Sequence, residues 1–320
     1  MAVRGTWRGG CATAAILCGL VNAAEVDVLS RMRQAADEFS YVGSYVRLAD
    51  DTAQSVRVIH TPELEHQYSL NGPLREWLRR GDQVLYRDST VDYSSPQGRN
   101  AAPALDESFS SALPQRLLPL RSYYEIRPLG LGRVAGRPAA RFALHSIDGM
   151  RYDYQLSADV ETGLLLEARQ VDGDGAAVSR MLFTDIEFPP DVNSAIPMPQ
   201  PDQVWRRVRP HEPVANAPPP PLANLPAGYS YWGQVHHDGA LPIRHILFTD
   251  GLNSVSVFVE AAARPDRVLS TERSYAGTNV VSQVIGRFQV TGVGDVPRPA
   301  LHEIIDALAS HSEVAPQEGR

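Results

Sequence analysis

Alternation of apolar and polar residues constrains the fold of this chain more than any other feature. After Phe39, apolar residues recur at every second position in many short runs, separated by pairs such as Asn71-Gly72 and Thr162-Gly163. Period-two runs predict half-buried strands, and the Gly-containing pairs favour tight hairpin turns. Because the runs follow one another directly, we expect antiparallel sheets built from hairpins.

One stretch, LFTDGLNSVSVFVE at residues 247–260, raises a question about function. It reads as two strands joined at Asp250-Gly251. Valines at alternate positions mark one face of the second strand, whereas Phe258 lies among serines and a glutamate on the other face. Two explanations fit this aromatic residue. It anchors a binding partner, or a helix covers it as part of the core.

Helical spacing of apolar residues occurs in three segments, at residues 28–39, 105–120 and 298–311. Pro299 lies near the start of the last segment, where proline is tolerated best. This last helix follows a second set of predicted strands, which includes one continuous strand over residues 274–286. The pattern predicts a small α+β domain at the C-terminal end of the chain.

Proline density predicts the domain boundaries. The region around residues 191–222 is so rich in proline that it favours an extended, semi-rigid linker. We therefore predict a long N-terminal domain at residues 25–190 and a short C-terminal domain at residues 223–311, with a disordered tail at residues 312–320. Apolar residues within the linker indicate that part of it lies against a domain surface.

The first residues have the layout of a secretory signal peptide, predicted at residues 1–24. Arg4 and Arg8 precede an apolar run that is too short for a comfortable membrane span. Cleavage after Ala23 and cleavage after Ala24 both fit the preference for small residues. The mature chain would therefore act outside the cytoplasm.

The mature chain would also lack cysteine, because Cys11 and Cys18 both lie in the predicted signal peptide. This excludes a disulfide framework, a thiol nucleophile and a thiolate metal site. Removing the two arginines of the leader, with no acidic residue lost, changes the formal net charge from −7 to −9. Such a chain has no general attraction for nucleic acid or anionic lipid, so binding to either needs a local basic patch.

Motifs for catalysis or cofactor binding are absent or incomplete, and we expect neither an enzyme nor a cofactor. HEIID at residues 302–306 has half of a zinc-protease motif, and DGDG at residues 172–175 is better explained as a hairpin turn. His236 and His237 lack a third ligand at a suitable spacing. WRRVRPH at residues 205–211 is either a phosphate or headgroup contact or, as we favour, a linker kept soluble by arginine.

Several stretches together resemble the MucB/RseB family of periplasmic sigma-E regulatory proteins. The resemblance runs through nearly the whole mature chain in the same order, and its C-terminal stretches are the most specific. It is carried by LNGPLREWLRRGDQVLY (70–86), RVAGRPAARFALHSIDGMRYDYQLSADVETGLLLEARQVDGDG (133–175), LFTDIEF (182–188), LPAGYSYW (225–232), HILFTDGLNSVSVFVE (245–260) and AGTNVVSQVIGRFQVTGVGDVP (276–297).

The resemblance implies a mainly β fold with an α+β part. A half-open antiparallel β-barrel similar to the periplasmic lipoprotein carriers would wrap around helices. A small antiparallel sheet domain with a C-terminal helix would follow. In one departure, Leu156-Ser157-Ala158-Asp159 stands where the family usually has Leu-Trp-Leu-Asp. The loss of Trp and Leu is expected to thin the apolar surface of that strand.

The resemblance also implies a function. Such proteins bind the periplasmic domain of a transmembrane anti-sigma factor and shield it from proteolysis, and lipid or lipopolysaccharide is thought to displace them. The alternative is a periplasmic lipid or lipoprotein carrier, although a simple carrier needs no C-terminal domain. A hydrolase has no supporting motif, and homo-oligomers remain open. From residue type and strand position, the predicted partner contacts are Tyr231, Trp232, Phe248, Phe258, Arg273, Tyr275 and Asn279.

Overall fold

A computed structural model of the protein describes residues 27–49, 51–81, 83–91, 108–192, 205–208, 222, 224–237, 243–263, 270–275 and 277–309. The predicted signal peptide and the predicted C-terminal tail lie outside these residues, as does most of the predicted linker. None of the helices in the described part of the chain combines the length and hydrophobicity needed to cross a bilayer.

The larger sheet contains eleven strands within the described residues. All of its pairings are antiparallel, as the hairpin pattern predicts. The strands are Tyr41–Ala49 (β1), Thr52–Thr61 (β2), Leu64–Ser69 (β3), Arg75–Arg80 (β4), Gln83–Asp88 (β5), Tyr124–Val134 (β6), Arg137–Ser146 (β7), Asp153–Asp159 (β8), Leu165–Val171 (β9), Ala177–Glu187 (β10) and Arg206–Val208 (β11).

The strand order is β11-β5-β4-β3-β2-β1-β10-β9-β8-β7-β6. Two hairpin series, β1 to β5 and β6 to β10, are joined where β1 pairs with β10, with Val42 opposite Glu187 and Ala49 opposite Ser179. Since β6 and β11 are both edges, the sheet curls without closing. The predicted half-open arrangement is confirmed.

Helices fill the concave side of this sheet. The first helix is Val28–Glu38 (α1), and the second is Phe109–Leu117 (α2), which continues as a 3₁₀-helix over Leu118–Tyr123. The apolar stripe of α1, with Leu29 and Met32 fully buried, packs in the same core as Phe109 of α2. Aromatic rings complete this core, with the Phe109 ring 5.4 Å from that of Phe183 on β10.

The smaller sheet contains six antiparallel strands within the described residues, in the order β12-β13-β14-β17-β16-β15. Its strands are Ser230–His237 (β12), Ile243–Thr249 (β13), Ser254–Ala261 (β14), Thr271–Tyr275 (β15), Thr278–Ile285 (β16) and Phe288–Gly294 (β17), followed by the helix Arg298–Ala309 (α3). The predicted sheet with a C-terminal helix is confirmed.

The prediction of one continuous strand over residues 274–286 is wrong. The segment contains the end of β15, a turn, and β16, which pair with each other so that Tyr275 lies opposite Thr278. Gly277 has φ of +81°, a conformation that a strand does not use and that glycine adopts without strain. The segment contains no proline and no charged residue, and this concealed the break.

Part of the predicted linker belongs to the larger sheet. Residues 206–208 form β11, which pairs with β5 so that Arg206 lies opposite Tyr86. The guanidinium of Arg87 on β5 lies 5.5 Å from the ring centre of Trp205. The expectation that part of the linker lies against a domain surface therefore holds at this strand. Neither interpretation of WRRVRPH anticipated its role as an edge strand.

Candidate partner-binding surface and the junction between the sheets

The two faces of the smaller sheet have different roles. The side chains of Val255, Val257 and Val259 point toward α3 and are buried with its apolar residues. Gly292 on β17 lies opposite Val257. A Cβ atom at Gly292 would come within 3.2 Å of Ile305 Cδ1, so glycine lets the helix approach the sheet closely. The valine face is therefore the core face of this domain.

The opposite face carries Phe258, and we call it the Phe258 face. Phe258 lies opposite His245 on one side and Thr291 on the other. The rings of Phe258 and His245 stack with centroids 4.4 Å apart. Since α3 packs on the valine face, the explanation that this helix covers Phe258 is wrong. The described part of the surface comprises His245, Leu247, Ser256, Phe258, Val280, Ser282, Thr291 and Val293, all of them half-buried.

Two of the seven predicted partner contacts lie in the interior. Phe248 is fully buried in the core of the smaller sheet, with its ring centre 6.3 Å from that of Tyr231. Asn279 is also buried. Strand position alone did not reveal the face to which each side chain points, and both residues are on the valine side. The prediction that Phe248 and Asn279 are surface contacts is therefore wrong.

The other predicted contacts are spread over the sheet. Phe258 and Arg273 are accessible, and Arg273 is exposed on the edge strand β15. Tyr275 ends that strand, two residues further on. Tyr231 and Trp232 are half-buried beside a β-bulge in β12, where burial raises the pKa of the Tyr231 hydroxyl. The seven residues therefore do not form one cluster.

Asn279 helps to join the two sheets. Its side-chain amide donates to the Tyr152 hydroxyl at 2.7 Å and to the carbonyl oxygen of Val296 at 2.8 Å. The Tyr152 hydroxyl donates in turn to the carbonyl oxygen of Gly277 at 3.1 Å. Tyr152 belongs to the loop between β7 and β8 of the larger sheet, whereas the other residues belong to the C-terminal domain. These bonds therefore connect the two parts of the protein.

The main connection is Arg151, in the same loop, whose side chain is 0% exposed. Its Nε donates to Asp250, which is also 0% exposed, at 2.9 Å, and its Nη1 donates to Asp148 at 2.9 Å. Its Nη2 donates to the carbonyl oxygen of Ala227 at 2.8 Å. The three nitrogens of the guanidinium are all used, and two of their acceptors lie in the C-terminal domain.

Two tyrosine rings enclose this guanidinium. Arg151 lies 4.4 Å from the ring centre of Tyr123 and 5.0 Å from that of Tyr229, a geometry that favours cation–π attraction. The Tyr229 hydroxyl donates to the carbonyl oxygen of Met150 at 3.0 Å. Burial, together with the negative charge of Asp250, raises the pKa of Tyr229, so its hydroxyl stays protonated as a donor.

Sequence reasoning missed Arg151 and assigned Asp250 only to a turn. The turn exists, because Asp250 Oδ1 accepts the amide protons of Leu252 and Asn253 at 2.9 and 2.7 Å. The other carboxylate oxygen receives Arg151. Aspartate is so common in turns that the sequence gives no sign that Asp250 also binds Arg151. A strand-flanking arginine is equally uninformative until its partner is known.

A buried polar cluster lies inside the larger sheet around Glu65, which is 0% exposed. Its carboxylate accepts His60 Nδ1 at 2.7 Å and the amide and hydroxyl of Ser108 at 2.7 and 3.0 Å. Burial alone would raise the pKa of Glu65. The hydrogen bond and charge of His60, the Ser108 amide and the charge of Arg79 outweigh burial and lower the pKa.

This cluster differs from a catalytic triad in one decisive contact. His60 Nε2 lies 2.8 Å from the carbonyl oxygen of Ala36, to which it must donate. Neither ring nitrogen of His60 is therefore available to take a proton from Ser108, as a nucleophilic serine would require. Elsewhere in the described residues, no group of three or more His, Cys, Asp or Glu side chains is placed to hold a metal ion. The cluster is explained by structure alone.

The two replaced positions in the Leu156–Asp159 segment point to opposite faces of β8. Ala158 joins the core with the helices, whereas Ser157 lies on the other face and donates to Glu167 at 3.0 Å. The expected thinning of one apolar surface is therefore corrected. The change at Ala158 affects the core, and the change at Ser157 affects the opposite side of the sheet.

The fold and the junction define a class of protein: a curled antiparallel sheet around helices, joined by a buried ion pair to a small sheet that leaves one face accessible. The sequence model of the MucB/RseB N-terminal domain matches residues 24–203, and that of the MucB/RseB C-terminal domain matches residues 221–309. The chain therefore belongs to the MucB/RseB family, and the resemblance found from the sequence is confirmed.

Individual relatives are similar over nearly their whole length. The sigma-E factor regulatory protein RseB of Salmonella typhimurium is 25% identical over 88% of this chain and 89% of the relative. The sigma factor AlgU regulatory protein MucB of Pseudomonas aeruginosa is 27% identical over 91% of this chain and 92% of the relative. Among solved structures, the crystal structure of MucB in complex with MucA(peri) is similar with a TM-score of 0.61 and 24% sequence identity. The match covers 87% of this chain and 96% of that chain. The last match supports the fold.

Proposed function

We propose that this protein is a periplasmic negative regulator of the envelope-stress response. It binds the periplasmic domain of a transmembrane anti-sigma factor and shields that domain from regulated proteolysis. The observation that carries the proposal is that both family domains match in order, over residues 24–203 and 221–309. Relatives that match over 89% and 92% of their own length are named as sigma factor regulatory proteins. The signal-peptide layout of the first residues supports export to the periplasm.

The regulator acts by binding and not by catalysis. Steric occlusion requires a surface and an affinity, and it requires no reactive group. The buried polar cluster around Glu65 has its acceptors and donors taken up by structural hydrogen bonds. This supports a protein whose polar groups maintain a fold, and it fits the proposed role as a protective partner.

The proposed contact surface is the Phe258 face together with the neighbouring edge of the smaller sheet. Phe258 is a stacked, half-buried ring on a face that mixes polar and apolar residues, and aromatic residues of this kind are typical anchors at protein interfaces. Arg273, which is exposed on β15, extends the surface along the sheet edge, and Trp232 and Tyr275 are proposed contacts from their positions in β12 and β15. Tyr231 lies opposite Phe248 and packs against the valine-side core, so it is not part of this surface. Phe248 and Asn279 are not part of this proposal, because they are buried.

Lipid or lipopolysaccharide is proposed as the signal that releases the anti-sigma factor. A ligand shifts such an equilibrium only if it binds the free regulator more tightly than the complex. The alternative function, transport of a lipid or lipoprotein, uses the same large sheet without an anti-sigma partner. The two functions therefore differ in one measurable property, which is the affinity for the anti-sigma domain.

The test is calorimetric titration of the chain from Glu25 with the periplasmic domain of the anti-sigma factor from the same genome. We expect one-to-one binding at micromolar affinity or tighter, in line with a specific protein interface. The complex should also slow cleavage of the anti-sigma domain by an added protease. Lipopolysaccharide should weaken the measured affinity, whereas a neutral detergent at equal concentration should not.

Absence of binding by a folded protein would overturn the regulator proposal. If mass spectrometry then found acyl lipid in protein purified without detergent, the carrier function would replace it. If the protein bound the anti-sigma domain without slowing its cleavage, the partner would be supported and the shielding mechanism would be rejected. Thermal melting of each preparation shows whether the protein was folded when it was tested.

A further inference from the structure

A pocket of about 250 Å³ lies on the face of the larger sheet opposite the helices. Four arginines and one acid line it: Arg133 on β6, Arg141 on β7, Glu167 and Arg169 on β9, and Arg180 on β10. The cross-strand register explains why Arg141, Glu167, Arg169 and Arg180 meet. Arg141 lies opposite Ser157, Ser157 opposite Glu167, and Arg169 opposite both Gln155 and Arg180, so their side chains share one face.

The charges of this pocket are unbalanced. Glu167 pairs with Arg180, with Nη2 and Oε1 2.6 Å apart, and also accepts the hydroxyl of Ser157 at 3.0 Å. The other arginines, Arg133, Arg141 and Arg169, form no ion pair with any residue that the structure describes. Three guanidinium charges therefore remain around one small pocket, in a chain whose formal net charge is −7.

Such an arrangement works against folding. Arg169 and Arg180 are directly opposite each other on neighbouring strands, and like charges in this position destabilise a sheet. Residues that oppose stability without a structural benefit are typical of binding sites. An anion in the pocket would relieve the repulsion, and guanidinium groups bind phosphate oxygens in a bidentate manner.

We propose that this pocket binds a phosphate ester. Its volume is below the roughly 300 Å³ at which pockets for drug-sized ligands begin, so it fits a headgroup-sized anion. Leu129, which also lines the pocket, is 42% exposed, and it offers a contact for an apolar chain attached to the phosphate. The ester can therefore come from a soluble metabolite or from a lipid headgroup.

Ser157 keeps the pocket open. It is a small residue of the lining, and its hydroxyl is fixed on Glu167. A large side chain at this position would occupy the pocket without changing any charge. In its biological role the inference rests on the proposed function, in which a lipid releases the anti-sigma factor. Binding of the phosphate ester itself is measured without that partner, so the two proposals fail separately.

The experiment has two arms. In one, glycerol 3-phosphate is titrated calorimetrically into the mature protein. In the other, the protein is sedimented with phosphatidylcholine vesicles that contain phosphatidic acid, with pure phosphatidylcholine as reference. We expect Arg141→Gln and Arg169→Gln each to weaken binding about tenfold, the effect of one lost charge-assisted bond. Ser157→Trp should abolish binding.

The control is Arg80→Gln, which removes the same charge from an exposed position on β4 outside the pocket. It should change binding by less than about twofold, because distant exposed charges are screened. Arg169→Gln should also leave the melting temperature unchanged or raise it, since it removes the repulsion with Arg180. A structural role for Arg169 would lower the melting temperature instead.

The outcomes decide both the site and the source of the ligand. Binding in both arms with equal sensitivity to the pocket variants supports a phosphate site for soluble esters. Binding to vesicles that Leu129→Ser weakens, with little response to glycerol 3-phosphate, supports a lipid headgroup. The inference is overturned if neither probe binds, if Arg80→Gln weakens binding as much as Arg169→Gln, or if Ser157→Trp binds like the unmodified protein.

Discussion

Replacing Arg151 by methionine should separate the two sheets of this protein. Arg151 and Asp250 are both fully buried and 2.9 Å apart, and the pair connects the β7–β8 loop to the β13–β14 turn. Removing the cation leaves a buried carboxylate without its partner. In comparable buried pairs this costs about 3–5 kcal/mol. The loss of the Tyr123 and Tyr229 ring contacts adds roughly 1 kcal/mol.

The effect on unfolding depends on which parts of the protein the Arg151–Asp250 pair holds together. Since the pair lies between the sheets, its removal should weaken their coupling and leave each hydrophobic core intact. We expect the unmodified protein to unfold in one urea transition and Arg151→Met in two. In the variant, amides of the smaller sheet should exchange with deuterium before those of the larger sheet. Urea titration by circular dichroism and hydrogen–deuterium exchange by mass spectrometry measure these effects.

A matched control is Arg127→Met. Arg127 forms an ion pair with Glu125, but the two side chains are 60% and 55% exposed. Exposed pairs of this kind contribute little to stability, because water screens the two charges. The double variant Arg151→Met with Asp250→Asn keeps the turn acceptor and removes the unpaired charge. It should recover about 1–3 kcal/mol relative to Arg151→Met alone.

The reasoning would be refuted by equal effects of Arg151→Met and Arg127→Met on the free energy of unfolding. It would also be refuted if Arg151→Met lowered stability but left one transition and uniform exchange. In that case the arginine would stabilise its own loop, and the orientation of the sheets would depend on other contacts. Recovery in the double variant separates the charge effect from a packing effect.

Three further predictions follow from individual residues. Phe258→Ser should weaken anti-sigma binding about tenfold, typical of a lost aromatic anchor, whereas Leu70→Ser, at an exposed position just after β3, should not. Equal calorimetric affinities for the unmodified protein and both variants would contradict the proposed surface. His66 is 2% exposed, and burial, followed by the charge of Arg87, lowers its pKa to about 4. The unfolded chain takes up a proton below pH ~6.5 and the folded protein does not, so stability is complete above that pH and should fall by about 3 kcal/mol toward pH 4. Urea titrations of His66→Phe should show a shallower fall, and identical pH profiles would rule this explanation out. Glu65→Gln should cost about 3–5 kcal/mol, because it leaves the buried His60 without its carboxylate; a cost below about 1 kcal/mol in the same assay would mean that the cluster is not an ion pair.

The local pattern of the sequence is enough to predict the elements and their class. Period-two alternation with Gly-containing turns specifies strands whose neighbours in sequence pair in space, and helical spacing marks the segments of α1, α2 and α3. These are local properties, fixed by backbone geometry and side-chain direction. The family resemblance added the half-open barrel. The strand predicted over residues 274–286 contains a turn at Gly277 that no proline or charged residue marks in the sequence.

The tertiary structure decided which face of each strand is covered and which distant residues meet. Alternation of apolar and polar residues shows that the two faces of a strand differ. Which face is covered depends on where a helix packs in the folded protein. Thus Phe248 and Asn279 are buried while Phe258 is accessible, although the sequence treats them alike. The pairing of Arg151 with Asp250, and the meeting of Arg141 with Arg169 in one pocket, depend on register and chain reversal. Such contacts between residues far apart in sequence arise only when the sheets pack, because no local preference encodes them.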